Sequence, residues 1–147
     1  MNGIALTILK KVSMSGEVSL AAALRMTKPR HGNHLDQYPL AILIEDGYLG
    51  VTINYTPPVG AENMREFSLA KTLHMFTLPK GVNNLVNYSG IISSGSIMPE
   101  TEFVFLKAKG ALYLDESRQK FYDRLWTFII GFSAGLLVAI ASAWLKG

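Results

Sequence analysis

The sequence predicts a small α+β domain followed by a single transmembrane α-helix, and three observations carry that reading. The chain has 147 residues, enough for one small domain with an appendage. Its apolar residues are unevenly spread: Leu125 to Leu145 is a run of 21 residues without a charge, 16 of them apolar. Ahead of that run, the hydrophobic period changes from helical to alternating near Gly47. These bounds exclude a disulfide scaffold, a multi-domain enzyme and a polytopic channel within one chain. The expected organisation is a body over 1–110, an amphipathic connection over 111–124 and the membrane helix over 125–145.

Ala5, Ile8, Leu9 and Val12 recur at i, i+3, i+4 and i+7, which marks a first amphipathic helix with Lys10 and Lys11 outward. Ser19 suits the N-cap of a second helix reaching about Met26, with Leu20, Ala23 and Leu24 inward. The polar connection 27–34 contains Pro29 and Gly32, which break helices. Pro39 fits the first turn of a third helix, where its missing N–H costs nothing. Leu40, Leu43 and Ile44 form that helix's buried stripe, and Gly47 stands where a left-handed cap is wanted.

From Tyr48 to Tyr55 the residues alternate, so a strand is expected with Leu49, Val51, Ile53 and Tyr55 on one side. Thr56 to Gly60 reads as a turn and Arg65 to Leu69 as the returning strand of a hairpin. Between Ala70 and Leu78 the pattern leans only slightly to helix. Asn83 to Pro99 reads as loop, Glu102 to Leu106 as a short strand, and Lys109 to Arg124 as helix.

Three helices and a two-stranded wing are the order of a winged helix-turn-helix domain. Leu43-Ile-Glu-Asp-Gly-Tyr-Leu49 resembles the helix-to-wing junction of bacterial winged-helix proteins. Phe105-Leu-Lys-Ala-Lys-Gly-Ala-Leu-Tyr-Leu114 resembles a strand-to-helix junction found after the wing in such domains. The resemblance covers roughly residues 4–70 and extends to 102–116. It implies a winged-helix-like fold, and DNA binding through the third helix.

Charge argues against the second implication. Residues 1–70 hold six cations (Lys10, Lys11, Arg25, Lys28, Arg30, Arg65) and six carboxylates (Glu17, Asp36, Glu45, Asp46, Glu62, Glu66). Duplex binding rests on cations neutralising phosphates, and the third helix offers none. Nucleic acid is therefore a disfavoured partner and a protein partner the favoured one. Arg25, Lys28, Arg30, His31 and His34 form the candidate recognition cluster, with the wing near Tyr55 to Met64 beside it.

For the apolar tail, 21 helical residues span about 31 Å, the thickness of a bilayer core. Arg124, Trp126, Trp144 and Lys146 are the expected interface anchors. Lys and Arg are more numerous before the run than after it. The reading is thus a tail-anchored protein of the inner (cytoplasmic) membrane with its N-terminal domain in the cytoplasm. Gly131, Gly135, Ala139 and Ala143 make a small-residue stripe suited to helix association and a homo-oligomer.

Chemistry finds little footing. No cysteine is present, so thiol nucleophiles and thiolate metal sites are excluded. His31, His34 and Asp36, with His74 elsewhere, could in principle offer zinc three imidazoles and a carboxylate, but two histidines in a glycine-containing loop read as polar loop residues. Gly90 to Ser96 has phosphate-loop glycines without the required lysine. Glu45–Asp46, Glu100/Glu102 and Asp115–Glu116 read as surface or helix-end charges. No catalytic residue, metal or cofactor is expected. The function expected is a protein-interaction or regulatory module at the membrane. The alternatives are a membrane-acting toxin or anti-phage defence effector, and a tethered DNA-binding regulator.

Overall fold

The computed structural model describes residues 3–55, 60, 62–79, 85–93 and 98–144. Contacts divide the chain into two units, Met1–Ala111 and Leu112–Gly147. In the first unit, helix α1 (Gly3–Ser15) leads into strand β1 (Glu17–Ser19) and helix α2 (Leu20–Met26). A 3-10 turn (His34–Gln37) runs into helix α3 (Tyr38–Glu45), which is followed by strand β2 (Leu49–Val51). A second 3-10 turn (Glu62–Met64) opens helix α4 (Arg65–Met75). Strands β3 (Val86–Tyr88) and β4 (Ile91–Ser93) form a hairpin, and strand β5 (Phe103–Leu106) precedes helix α5 (Ala108–Trp144).

The helical periods are realised as face burial. Ile8, Leu9 and Val12 of α1, Leu20 of α2, Leu40 and Leu43 of α3 and Leu69 and Leu73 of α4 are all essentially inaccessible. Each such side chain contributes about 2 kcal/mol by leaving water. The Ser19 hydroxyl accepts the Ala22 N–H at 3.2 Å, as an N-cap should. Two more first-turn donors of α2 are met from downstream: Leu20 N–H reaches the Glu102 carbonyl and Ala21 N–H the Pro99 carbonyl. At the end of α3, Gly47 sits at φ +74°, donating to Ile44 while Tyr48 donates to Leu43. That pair of bonds is the Schellman arrangement, and it turns the chain directly into β2.

The sheet is ordered β1-β5-β2, with both neighbours antiparallel to β5. Val104, fully buried, is the register partner of both Val18 and Val51. The strand expected at 102–106 is thus real and central. At its far end Thr52 donates to the Glu102 carboxylate and accepts the Phe103 N–H at 2.9 Å, tying the end of β2 to β5.

Several expectations are corrected. The wing is not a hairpin of 48–55 with 65–69: β2 pairs with β5, and Arg65–Leu69 is the start of α4. Its alternating look came from Phe67 and Leu69, but Leu69, Ala70 and Leu73 share a helical face against α3 and are buried. Part of the segment read as loop, 83–99, holds the β3–β4 hairpin, turned by Ser89 and Gly90 at φ 52° and 82°. Two consecutive positive φ values give the turn whose twist matches paired strands. The winged-helix-like architecture with its helix-turn-helix reading is replaced by a mixed α+β domain.

The transmembrane helix is corrected as well. Among the described residues no helix is long and apolar enough to cross a membrane. The apolar run is the continuation of α5, whose 108–137 portion carries Lys109, Asp115, Glu116, Arg118, Lys120, Asp123 and Arg124. The tail-anchored, single-pass inner-membrane placement and its cytoplasmic orientation rested on that span and fall with it.

The first turn of α5 belongs to the first unit. Lys107 N–H donates to the Tyr48 carbonyl at 3.1 Å, and the Lys109 ammonium donates to the Asp46 carbonyl at 2.6 Å while lying over the Tyr48 ring. Gly110 is buried there, and a Cβ on it would collide with the Tyr48 carbonyl oxygen and meet Leu106 Cδ1 at 2.8 Å. The oxygen is held by Lys107 and has little freedom to retreat. Gly110→Ala is therefore expected to lower stability by about 2 kcal/mol in urea denaturation, through overpacking.

Candidate functional site: a basic loop closed on Asp36

The candidate recognition cluster divides when placed in the fold. Arg25 lies in the last turn of α2, and Lys28, Arg30 and His31 follow in the connection; all four are exposed. His34 opens the 3-10 turn and faces inward, its ring 5.1 Å edge-on from Phe67 of α4 and 5.9 Å from Tyr88 of β3. Expected as one patch, the five residues are four outward side chains and one that packs against neighbouring elements.

The reason is Asp36. Its carboxylate accepts the backbone N–H groups of Arg30 (2.9 Å), His31 (3.0 Å) and Gly32 (2.8 Å). Asp36 is buried, and burial alone would raise its pKa; the three N–H bonds and the nearby His31 outweigh it and hold the carboxyl below its usual value. The base of the loop is closed by a second buried pair. The Thr27 hydroxyl sits 3.1 Å from the Gln37 side-chain oxygen and 2.6 Å from the Leu24 carbonyl. Asn33 caps the turn by accepting the Leu35 N–H at 2.9 Å.

Three successive N–H groups converging on one point make an anion-binding nest. Here the anion is the chain's own carboxylate. A phosphate therefore finds those backbone donors occupied, leaving only the side chains of Arg25, Lys28, Arg30 and His31 to attract it. The imagined zinc set is dismantled by the same geometry: Asp36 is engaged with the backbone and His34 with Tyr88. Among the described residues no group of three His, Asp or Glu side chains is placed to hold a metal.

A second cluster escaped the sequence reading. The Tyr88 hydroxyl lies 2.9 Å from His34 Nδ1 and accepts the His34 backbone N–H at 3.3 Å. On its other side the Tyr88 ring packs 4.7 Å from the His74 ring of α4. Lys71 of α4 lies 4.3 Å above the Phe67 ring and donates to the Ser89 hydroxyl at 3.0 Å. Burial, then the Lys71 charge, lowers the His34 pKa; burial, then His34, lowers that of His74 against an opposing pull from Asp36. The Ser-Gly turn at 89–90 was the signal that a hairpin, and so Tyr88, would be brought here.

The remaining expected residues lie on α5 or beyond it. Gly131 and Gly135 are exposed, and a Cβ on either meets nothing within 4 Å. Arg124 and Trp126 are exposed on the same helix. Ala139 and Ala143 are on its backbone course, while their side chains, that of Trp144, and Lys146 lie outside the described residues, as do wing positions 56–59 and 61. The interface roles of Arg124, Trp126, Trp144 and Lys146 presupposed a membrane span.

Asp36→Ala leaves three N–H groups without their acceptor and is expected to cost roughly 2–4 kcal/mol. With a folded pKa below the unfolded one, Asp36 contributes stability in full above about pH 4. That stability is lost as pH falls through the lowered folded value. Denaturation of wild type and Asp36→Ala from pH 6 to pH 2 checks both: the gap between them should narrow toward the acid end.

No protein-family model matches this chain, and comparisons with curated proteins and with solved structures return no match.

Proposed function

We propose that this chain is a non-enzymatic interaction module, an α+β body extended by a helix through which two copies associate. The observation that carries the reading is the surface of α5. Trp126, Phe128, Phe132 and Leu137 are each more than 60% exposed, and Leu125, Ile129, Ile130 and Leu136 are exposed between them. Apolar side chains thus stand on every face of the helix, beyond what an isolated monomer ordinarily leaves in water. A covering partner is the economical explanation.

A second copy suits this surface for three reasons. It presents the same helix at the same concentration, so association needs no further component. The stretch ahead of the apolar part balances Asp115, Glu116 and Asp123 against Arg118, Lys120 and Arg124, so two copies meet without net repulsion. Gly131 and Gly135 leave open space at which another backbone approaches closely, and Phe128 stacks on Phe132 to give a broad apolar ledge beside them.

On the body, the exposed Arg25, Lys28, Arg30 and His31 suit an acidic segment of a protein partner better than duplex DNA. The backbone nest that would grip phosphate is filled by Asp36, and residues 1–70 carry balanced charge.

Sedimentation equilibrium on the purified full chain tests the assembly. The wild type is expected to be a dimer at micromolar concentration, and Phe128→Glu with Phe132→Glu to be a monomer with an unchanged body by circular dichroism. A wild type that stays monomeric across the concentration range would sink the reading.

A further inference from the structure

We propose that the β3–β4 hairpin is a proton-releasable flap, latched to the body by His34 and His74 on either side of Tyr88 and let go when these imidazoles take up protons. The hairpin's described attachments to the body are concentrated in β3 and the turn that follows it. Tyr88 meets His34 and His74, the Ser89 hydroxyl meets Lys71, and Val86 is buried. Among the described residues, two of these attachments run through a histidine.

The latch uses the arrangement in which the Tyr88 hydroxyl donates to His34. The Tyr88 oxygen accepts the His34 backbone N–H, so its own proton is free to point at His34 Nδ1, 2.9 Å away. That requires Nδ1 to be an acceptor, which holds only for the neutral ring carrying its proton on Nε2. In the imidazolium both ring nitrogens are donors, so the Tyr88 oxygen must accept from Nδ1 as well as from the backbone N–H and its own proton has to turn away from His34.

The surroundings make a proton unwelcome. From α4, the Lys71 ammonium and the His74 ring face His34; from β3 comes the neutral Tyr88 phenol, and from α3 the Tyr38 ring at 6.2 Å. His74 is faced by His34, by Tyr88 and by the Thr77 hydroxyl, with Asp36 the carboxylate acting on it. Asp36 already accepts three backbone N–H bonds and is not free to pair. The Phe67 face, a place where a cation is welcome, is occupied by Lys71. Protonating both histidines would set three cations in one cluster.

The direction with pH follows. Both folded pKa values lie below the unfolded value of about 6.5, so the latch is complete above that pH. It weakens as pH falls through 6.5 and on through the lowered folded values.

Amide hydrogen exchange of the full chain between pH 8 and pH 5, corrected for intrinsic exchange, reads the latch directly. Protection in residues 86–88 should fall by roughly tenfold or more across this range, while that of α1 holds. In His34→Gln with His74→Gln the hairpin's protection should become independent of pH. Hairpin protection that is flat with pH in the wild type overturns the proposal, as does an equal fall in the double variant. Should the double variant fail to fold, an NMR titration of the wild-type imidazoles decides. Both rings titrating below 6.5 in step with the Tyr88 resonances supports the latch, and either ring titrating at or above 6.5 overturns it.

Discussion

The first unit is organised around a strand that arrives late in the chain. Strands β1 and β2 end by residue 51, yet neither pairs with the other; both hydrogen-bond to β5, which begins at Phe103. Val104 stands between Val18 and Val51 and is sealed from solvent by the helices above it. Until β5 docks, the inner edges of both strands hold unpaired N–H and C=O groups, and α2 lacks the Glu102 and Pro99 carbonyls that satisfy its first turn. The helices α1 to α3 can gather from local contacts, but the sheet closes only with the entropic cost of bringing together residues 53 to 88 positions apart. What lies between β2 and β5, including α4 and the hairpin, is an excursion that returns to the same sheet.

That excursion explains how the polar chemistry is disposed. Helix α4 packs on α3 and on the 3-10 turn, so it carries Phe67, Lys71 and His74 to the end of the connection where His34 and Asp36 sit. The cationic connection is consequently a scaffolded loop. Asp36 neutralises it from within, Thr27 and Gln37 close it below, and the aromatic cluster supports its far end. Its outward cations remain free to attract an acidic surface, whereas its backbone is committed to self-support.

Helix α5 has two characters along its length. Its first turn is fixed to the first unit by Gly110, Lys107 and Lys109, with backbone approach close enough to exclude a methyl group. Its later turns present aromatic and branched side chains outward. The association proposed above would supply the missing apolar burial.

The sequence by itself determined the first three helices of the body and how they end. Period 3.6 in Ile8, Leu9 and Val12, the Ser19 cap and the Gly47 terminus each depend on residues a few positions apart, and each appears in the structure as the local physics requires. The short strand near 103–106 was legible for the same reason. Tertiary structure alone decided the partners. Alternation says that Leu49 to Val51 will be a strand but not which strand lies beside it, so a neighbouring wing was expected where β5 now sits. Phe67 and Leu69 fit both periods, and packing against α3 chose the helix. A loop rich in Lys, Arg and His reads as an open cationic patch until Asp36 is seen to occupy its backbone, and Tyr88 is too distant in sequence to be paired with His34. An uncharged run reads as a membrane span when counted along the chain. The helix it belongs to starts at Ala108 and carries seven charges before that run, and among the described residues no helix is long and apolar enough to cross. Local periodicity fixes elements because its interactions span one or two turns; partners, protonation and exposure are set by contacts that only the folded chain brings together.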